Sequence, residues 1–523
     1  MTARATPAPG AAAGAGLALP TAQAARQAQA RNYREILAST LLMGGASMFS
    51  MLVGLVRTKI LAVLLGPAGY GLMGVYALIA DLARCVAQLG INDSGVRQIA
   101  AAVATGDAGC IGRTMVILRR VAVACGLLGA VLLVVLAPQV SVLTFGDAHH
   151  AVPVAWLALA VFFSLVAGGQ VALIQGLRRI GDVARIGALG AVLSLVTSVP
   201  LVLVLREDGL VPSIICGAAL SVATAWWYAR KVRVDVPRVA LAELARVSAS
   251  LLTLGLAVMV SALLTTGAAY AVRSMVLRSA GLDAAGHYHA AWMLGGLYVG
   301  FILQALAVDY FPRLVGVVAD DAACNRLVNE QTQMCLLLAA PGVLATLTLA
   351  PLAVEWFYSD RFRPATEVLR WICLGTALRI VIWPISFIIV ARNRQRLFVA
   401  IELAWTLLYL ALTWLCLQRY GIEGAGMACL GAYLFHAALV YPAVWRLSRF
   451  GWTGVNLRTA AWFILAAAAV FCSPHLLAPW WAGAFGAAMT LLATVVCARR
   501  IVRLTDPLRC PRALAWLLAG GRP

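Results

Sequence analysis

Long apolar stretches recur along the whole chain, and short polar segments separate them. Each is about 20 residues long, the length of helix needed to cross a hydrocarbon core of about 30 Å. They cover 36–58, 70–92, 117–137, 154–177, 186–205, 211–229, 247–270, 287–311, 333–354, 367–390, 398–417, 425–445, 459–478 and 481–498. The pattern predicts an all-α polytopic membrane protein with about 14 transmembrane helices.

Composition agrees with this fold class. Hydrophobic residues make up 62% of the 523 residues and charged residues only 12%, whereas soluble proteins carry about 25% charged residues. The formal net charge of +20 comes mainly from arginines at the ends of the apolar stretches. We therefore interpret it as a topology signal and expect no nucleic-acid partner.

Positive charge alternates from one connecting segment to the next. The segments 97–120, 178–185, 230–246, 392–396 and 446–458 are rich in arginine, whereas 138–153 and 473–480 contain none. Basic segments stay on the cytoplasmic side of a membrane. Both termini are therefore expected in the cytoplasm.

The second half of the chain repeats features of the first half at a nearly constant interval. Phe145-Gly-Asp before Trp156 is similar to Phe357-Tyr-Ser-Asp before Trp371, and Gly69-Tyr70 is similar to Gly286-His-Tyr288. Each repeat holds six spans, and an even number gives two halves that run in the same direction. We expect two parallel-repeat six-helix lobes around a central cavity, with two C-terminal helices on their flank.

The predicted domains follow from this repeat. The Ala/Gly/Pro-rich N-terminus is expected to be a disordered cytoplasmic tail rather than a cleaved signal peptide, because its apolar part is weak. The predicted units are a tail (1–34), an N-lobe (35–229), a basic linker (230–246), a C-lobe (247–446), two extra helices (447–498) and a cytoplasmic tail (499–523).

Several charged residues lie within or beside the apolar stretches, where each costs about 2.5–3.5 kcal/mol at the centre of the bilayer. The candidate substrate-binding residues are Arg57, Lys59, Arg84, Arg273, Arg278 and Arg379. Asp81 and Glu402 are candidates for ion coupling. The simpler interpretations are that basic side chains at span ends reach the interface, that Asp81 pairs with Arg84 and Asp309 with Arg313, and that Glu402 pairs with the arginines of 392–396.

The candidate site is basic rather than acidic. The repeat places the Arg57/Lys59 and Arg273/Arg278 pairs at equivalent outer ends of spans one and seven, so we expect both to face one central space. Guanidinium groups bind phosphate through two parallel hydrogen bonds. An anionic ligand such as a pyrophosphate therefore fits better than a cation. The cysteines and histidines lack metal-ligand spacing, so no metal or other cofactor is expected.

Several segments resemble Wzx-type O-antigen and enterobacterial common antigen translocases. They are Leu61 to Leu72, Leu89-Gly-Ile91 with Gly95-Val96 and Ile99-Ala100, Gly286 to Trp292, Tyr310 to Leu314, Phe362 to Trp371 and Leu397 to Glu402. Lipid II flippases and MATE exporters share the superfamily.

The resemblance implies two six-helix lobes, alternating access and movement of undecaprenyl-pyrophosphate-linked oligosaccharides across the bacterial inner membrane. Arg57 matches an arginine at the end of the first helix of lipid II flippases, and Arg273 and Arg379 match basic positions in common antigen translocases. The lipid-linked glycan and the bilayer are the expected partners, together with a polysaccharide polymerase and a chain-length regulator.

Two other function classes fit the sequence less well. A cation-coupled multidrug exporter of the MATE type would need several acidic groups in one lobe, and only Asp81 meets this in the first lobe. A polymerase, ligase or glycosyltransferase would need a large outer loop or an acidic metal motif. The longest outer loops hold about 16 residues, so we expect a transporter and not an enzyme.

Overall fold

The computed structural model describes residues 22–232 and 241–504, and helices dominate these ranges. The first half contains α1 (Ala22–Gln88), α2 (Ile91–Ala104), α3 (Ala108–Phe145), α4 (Ala151–Gly176), α5 (Ile180–Leu205) and α6 (Leu210–Ala229). The second half contains α7 (Leu241–Val317), α8 (Asp321–Thr348), α9 (Ala350–Phe357), α10 (Ala365–Ala391), α11 (Gln395–Tyr420) and α12 (Glu423–Ser448). Two further helices follow, α13 (Gly454–Leu476) and α14 (Pro479–Leu504).

The two longest helices, α1 and α7, each bend back at one glycine. Gly66 has φ +67° and Gly281 has φ +84°, a left-handed backbone region that residues with a Cβ atom rarely adopt. Pro67 begins the second limb of α1, where its missing N–H costs nothing. Each of these helices therefore crosses the membrane twice, once on each side of its glycine.

Within the described ranges, 11 helical stretches are long and apolar enough to span a membrane. Three of them, with 46, 50 and 49 residues, are about twice the length that one crossing needs. They are divided at Gly66, at the turn Arg206–Gly209 and at Gly281. The predicted all-α fold with about 14 crossings is confirmed.

The structure confirms the internal repeat as well. The two kinks, Gly66 and Gly281, are separated by a fixed number of residues. The first residues of α4 and α10 are separated by the same number to within one position. The left-handed residues Arg178 and Asn393, which follow α4 and α10, are separated by the same interval again. The two halves therefore build the same six-crossing lobe, and α13 and α14 pack on α8 of the second lobe.

The two lobes share a hydrophobic core at one end. A single apolar cluster joins them near the glycine kinks and includes Leu61, Tyr70, Val276 and Tyr288. At the opposite end each lobe has a hydrophobic core of its own. The N-lobe core surrounds Leu118, and the C-lobe core is a separate cluster of buried residues. The lobes therefore form a V whose closed end lies at the kinks; we call the opposite end, which carries the basic loops, its open end, and α2 and α7 also touch between the lobes.

Some predicted boundaries were wrong. Residues 22–34, expected in a disordered tail, begin α1, because their alanines and glutamines favour helix. The rest of that tail, residues 233–240 of the basic linker and residues 505–523 lie outside the described residues. α2 was not predicted as a separate helix, and it follows a break at Gly90, which has φ +70°. The ninth span continues as the short helix α9 after Leu349.

Candidate functional site

A cavity of about 530 Å³ lies between the limbs of the V. α1 supplies Asp81 and Arg84, α7 supplies Arg273, and α10 and α11 supply Arg379 and Glu402. These five were among the eight residues proposed from the sequence. Ligand pockets are commonly about 300–1,000 Å³ in volume, so this cavity could hold a substantial polar head group.

Arg273 is the most deeply placed charge in the cavity. Only 5% of the residue is exposed. Its Nη1 donates to the carbonyl oxygen of Gly74 on α1 at 3.0 Å, and its Nε has no acceptor. No acidic side chain in the described part of the chain forms an ion pair with it. A buried guanidinium group without a counter-ion is costly and attracts an anion.

A second group of charges lines the cavity on α10–α12. Arg379 interacts with the hydroxyl group of Tyr433. His436 Nε2 lies 3.6 Å from Glu402 Oε1. The expected pairing of Glu402 with the arginines of 392–396 is wrong, because Glu402 lies against His436 and Arg392 pairs with Asp321.

Asp81 and Arg84 pair with each other at the rim, as one interpretation of the sequence expected. Arg84 Nη2 lies 3.1 Å from Asp81 Oδ1, and the two side chains are 40% and 52% exposed. The predicted pair between Arg313 and Asp309 also forms, at 3.1 Å, but outside the cavity. Exposed pairs of this kind contribute about 0–1 kcal/mol to stability.

Arg57, Lys59 and Arg278 do not line the cavity, so the expectation that they face one central space was wrong. Arg57 donates to Ser194 Oγ on α5 at 2.6 Å. Residues two or five positions apart in a helix point about 140–160° away from each other. Lys59 therefore cannot share the direction of Arg57, nor Arg278 that of Arg273.

Lys59 and Arg278 instead join the lobes at the closed end. Lys59 Nζ donates to the carbonyl oxygen of Glu355 near the end of α9, at 3.2 Å. Arg278 Nη1 donates to the carbonyl oxygen of Leu143 near the end of α3, at 3.4 Å. Each lobe thus supplies a cation to a helix C-terminus of the other, where the helix dipole favours positive charge.

Sequence reasoning missed the aromatic residues and the histidine of the cavity. Eight of the lining residues are aromatic: Tyr288, Trp292, Trp383, Phe387, Phe398, Trp405, Tyr409 and Tyr433. Aromatic residues in spans usually mark an interface or a packed core, so hydropathy alone did not distinguish them. Among the described residues, no cluster of three or more His, Cys, Asp or Glu side chains could hold a metal ion.

One protein family matches the chain over most of both lobes. The family model described as "Polysaccharide biosynthesis protein" matches residues 60–367, which is more than half of the chain. The chain belongs to this family. The matched part includes both glycine kinks, Gly66 and Gly281, and Arg273. No protein of curated function matches the chain in sequence.

Solved structures resemble the chain over most of its length. The lipid II flippase MurJ in an inward closed conformation is 13% identical, has a TM-score of 0.66 and covers 88% of this chain and 99% of its own. An inward-facing MATE family multidrug resistance transporter is 15% identical, with a TM-score of 0.62 and 78% and 99% coverage.

A third relative is a MOP superfamily transporter from Pyrococcus furiosus, described as having a binding pocket of reverse polarity. It is 14% identical, with a TM-score of 0.54, and covers 82% of this chain and 96% of its own. At such low identity these relatives establish the fold alone. They confirm the expected fold, which a lipid II flippase and a multidrug resistance transporter also have.

Proposed function

We propose that this protein is a flippase that moves undecaprenyl-pyrophosphate-linked oligosaccharide, an O-antigen or exopolysaccharide repeat unit, across the bacterial inner membrane. The observation that carries the proposal is Arg273, a buried guanidinium group in a cavity between two lobes. Membership in a polysaccharide biosynthesis family supports it.

The charge balance of the cavity favours an anionic ligand. Asp81 is paired with Arg84, and Glu402 lies 3.6 Å from His436, so each lining carboxylate already has a basic group beside it. Neither Arg273 nor Arg379 has an acidic partner among the side chains described. A pyrophosphate could accept hydrogen bonds from both guanidinium groups. These bonds would offset the free-energy cost of removing water from the two charges.

The V shape supports alternating access. The open end carries the basic loops, so by the positive-inside rule it faces the cytoplasm, as do both termini. The cavity would load a lipid-linked glycan from that side. Opening at the kinks would then release it outwards, where a polysaccharide polymerase and a chain-length regulator would use it.

The second candidate is a cation-coupled multidrug exporter of the MATE type, since transporters of that family share the fold. A cationic drug would meet two unpaired arginines in this cavity, and like charges repel strongly where the dielectric constant is low. The cavity therefore favours the flippase. Asp81 and Glu402 remain the candidates for coupling transport to an ion gradient.

The decisive experiment follows the lipid-linked intermediate in a deletion strain. We expect complete undecaprenyl-pyrophosphate glycans to accumulate on the cytoplasmic leaflet, and mass spectrometry of the same extract would identify the repeat unit. Arg273→Gln should fail to restore surface glycan at normal protein level. Arg419→Gln, which changes an exposed arginine on α11 outside the cavity, should restore it.

Unchanged surface glycan without accumulation, together with increased drug susceptibility, would contradict the flippase and favour the exporter. Normal glycan output from the Arg273→Gln variant would contradict the proposed role of the arginine while leaving the flippase intact.

A further inference from the structure

The two lobes contribute unequally to the central cavity. All eight aromatic lining residues come from the second half of the chain, and we call this set the aromatic wall: Tyr288, Trp292, Trp383, Phe387, Phe398, Trp405, Tyr409 and Tyr433. The N-lobe supplies only Leu78, Asp81 and Arg84 to the lining, all from α1. The N-lobe side of the cavity therefore has no aromatic ring, whereas the C-lobe side combines the aromatic wall with Arg273, Arg379 and Glu402.

The fold itself does not require the aromatic wall. The internal repeat gives each of its residues an equivalent in the N-lobe, at the interval that separates Gly66 from Gly281 or one position less. These equivalents are Met73, Ala77, Gly168, Ala172, Val183, Gly190, Ser194 and Ala219. None is aromatic, although the N-lobe builds the same arrangement of helices. The aromatic side chains thus serve something that the second lobe does and the first does not.

Trp405 lies at the centre of the aromatic wall. Its ring stacks on Tyr409 with centroids 5.7 Å apart, and it lies 5.8 Å from each of Tyr433 and His436. Its indole N–H has no acceptor in the described part of the chain. A buried N–H without a partner costs about 1–3 kcal/mol, so this part of the wall is not satisfied by the protein alone.

Polar groups lie among these rings. The hydroxyl groups of Tyr288 and Tyr409 are 3.2 Å apart, and Ser386, Glu402 and His436 lie along the same side of the cavity. A surface with aromatic faces and nearby hydroxyl, carboxylate and imidazole groups suits a ligand that is apolar on its faces and polar at its edges. A pyranose ring has this character, because its C–H groups can pack on an aromatic face while its hydroxyls form hydrogen bonds.

We infer that the aromatic wall is the sugar-binding subsite of the cavity, and that it holds the first sugars of the glycolipid next to a pyrophosphate bound by Arg273. This inference rests on the proposed function. Arg273 and Tyr288 line the same cavity, so a pyrophosphate at the arginine places the attached sugar against the rings. A hydrocarbon chain would leave the indole N–H of Trp405 unpaired, so the isoprenoid tail stays outside the wall.

Binding of short synthetic probes to the full-length protein in nanodiscs tests this assignment. The probes are farnesyl pyrophosphate and farnesyl pyrophosphate extended by one glucose, galactose or N-acetylglucosamine. We expect at least one sugar to tighten binding by about tenfold in Kd, which corresponds to about 1.4 kcal/mol. Trp405→Leu should abolish this gain and leave the affinity for farnesyl pyrophosphate unchanged.

Trp414 provides a matched control. It lies on the same helix nine residues later, on the opposite face, and is 53% exposed. Trp414→Leu should keep the full gain from the sugar. Trp292→Leu gives a second test within the wall, should Trp405→Leu fail to fold.

Two results would overturn the inference: no gain from any of the three sugars, or an equal loss of affinity for all probes in the wall variants. Failure of the proposed function looks different. In that case the deletion strain would keep its surface glycan and accumulate no lipid-linked intermediate, whatever the wall variants do.

Discussion

Gly71 and Gly286 lie against each other where α1 crosses α7, and they are equivalent positions of the two halves. A Cβ atom added to Gly71 would lie 2.6 Å from the backbone nitrogen of Gly286. One added to Gly286 would collide with the backbone carbonyl of Pro67. The closed end of the V therefore depends on two surfaces without side chains, which let the backbones of the lobes touch.

We expect Gly286→Ala to weaken this closure. The new methyl group meets backbone rather than a flexible side chain, and overpacking of this kind costs about 1–3 kcal/mol. The population should move towards states that are open at the kinks. Energy transfer between labels at the exposed His149 and Trp356, one on each lobe, would measure the separation.

Gly296→Ala is the control for this prediction. It lies on the same helix, and an added Cβ atom there meets nothing within 4 Å. The label separation should stay at its wild-type value in this variant. Equal separations in all three proteins would show that the glycine contact does not hold the lobes together.

A second prediction concerns Lys59 and Arg278, the cations that join the lobes at the closed end. Replacing both by methionine keeps most of the side-chain volume but removes the two hydrogen bonds to helix C-termini. At about 0.5–1.5 kcal/mol for each bond, the double variant should open the V at the kinks. Neither residue lines the cavity, so the double variant loses no direct contact with farnesyl pyrophosphate.

The two roles for these residues give opposite results. If Lys59 and Arg278 bound substrate directly, the double variant would lose affinity without a change in label separation. If they hold the lobes together, the separation between the two labels changes in the double variant. Lys59→Arg with Arg278→Lys should behave like wild type, because both cations are retained.

The sequence was sufficient for the fold because the properties that define it are local. Twenty apolar residues in a row predict a crossing wherever they occur. The sequence match of Gly69-Tyr70 with Gly286-His-Tyr288 located the kinked region in both halves, but it was two positions out of register, because the interval between the kinks Gly66 and Gly281 makes Gly71 the equivalent of Gly286. These signals do not depend on how the helices rotate against each other.

The candidate site was only partly predictable, because the direction of a side chain depends on that rotation. Arg57 and Lys59 look like one basic patch in the sequence but point to different neighbours, Ser194 and Glu355. His436 was missed because its partner Glu402 lies on the preceding helix, far from it along the chain. Trp405 was missed because a tryptophan in a span has many ordinary explanations.

The third prediction separates the two candidates for ion coupling. Asp81 is half exposed and paired with Arg84, whereas the Glu402 side chain is 21% exposed and lies against His436. A protonation step is more strongly linked to conformation when it changes the charge of a buried group. Glu402→Gln should therefore suppress proton movement driven by farnesyl pyrophosphate in proteoliposomes, while Asp81→Asn should retain most of it. The reverse order would transfer the coupling role to Asp81.

The last prediction concerns how α13 is attached to the C-lobe. Arg370 on α10 is 3% exposed, and its Nη2 donates to the carbonyl oxygens of Phe471 at 2.7 Å and Val470 at 3.3 Å. Its Nη1 lies 3.2 Å from Glu367 Oε1. Arg370→Met removes the bonds to α13 and leaves the carbonyl oxygens of two buried residues without this donor, at about 1–3 kcal/mol for each unsatisfied group, so the Tm in detergent should fall clearly. Glu367→Gln keeps the contacts with α13 and should cost less. Equal losses from the two variants would mean that the ion pair, and not the attachment of α13, determines the stability of this part of the lobe.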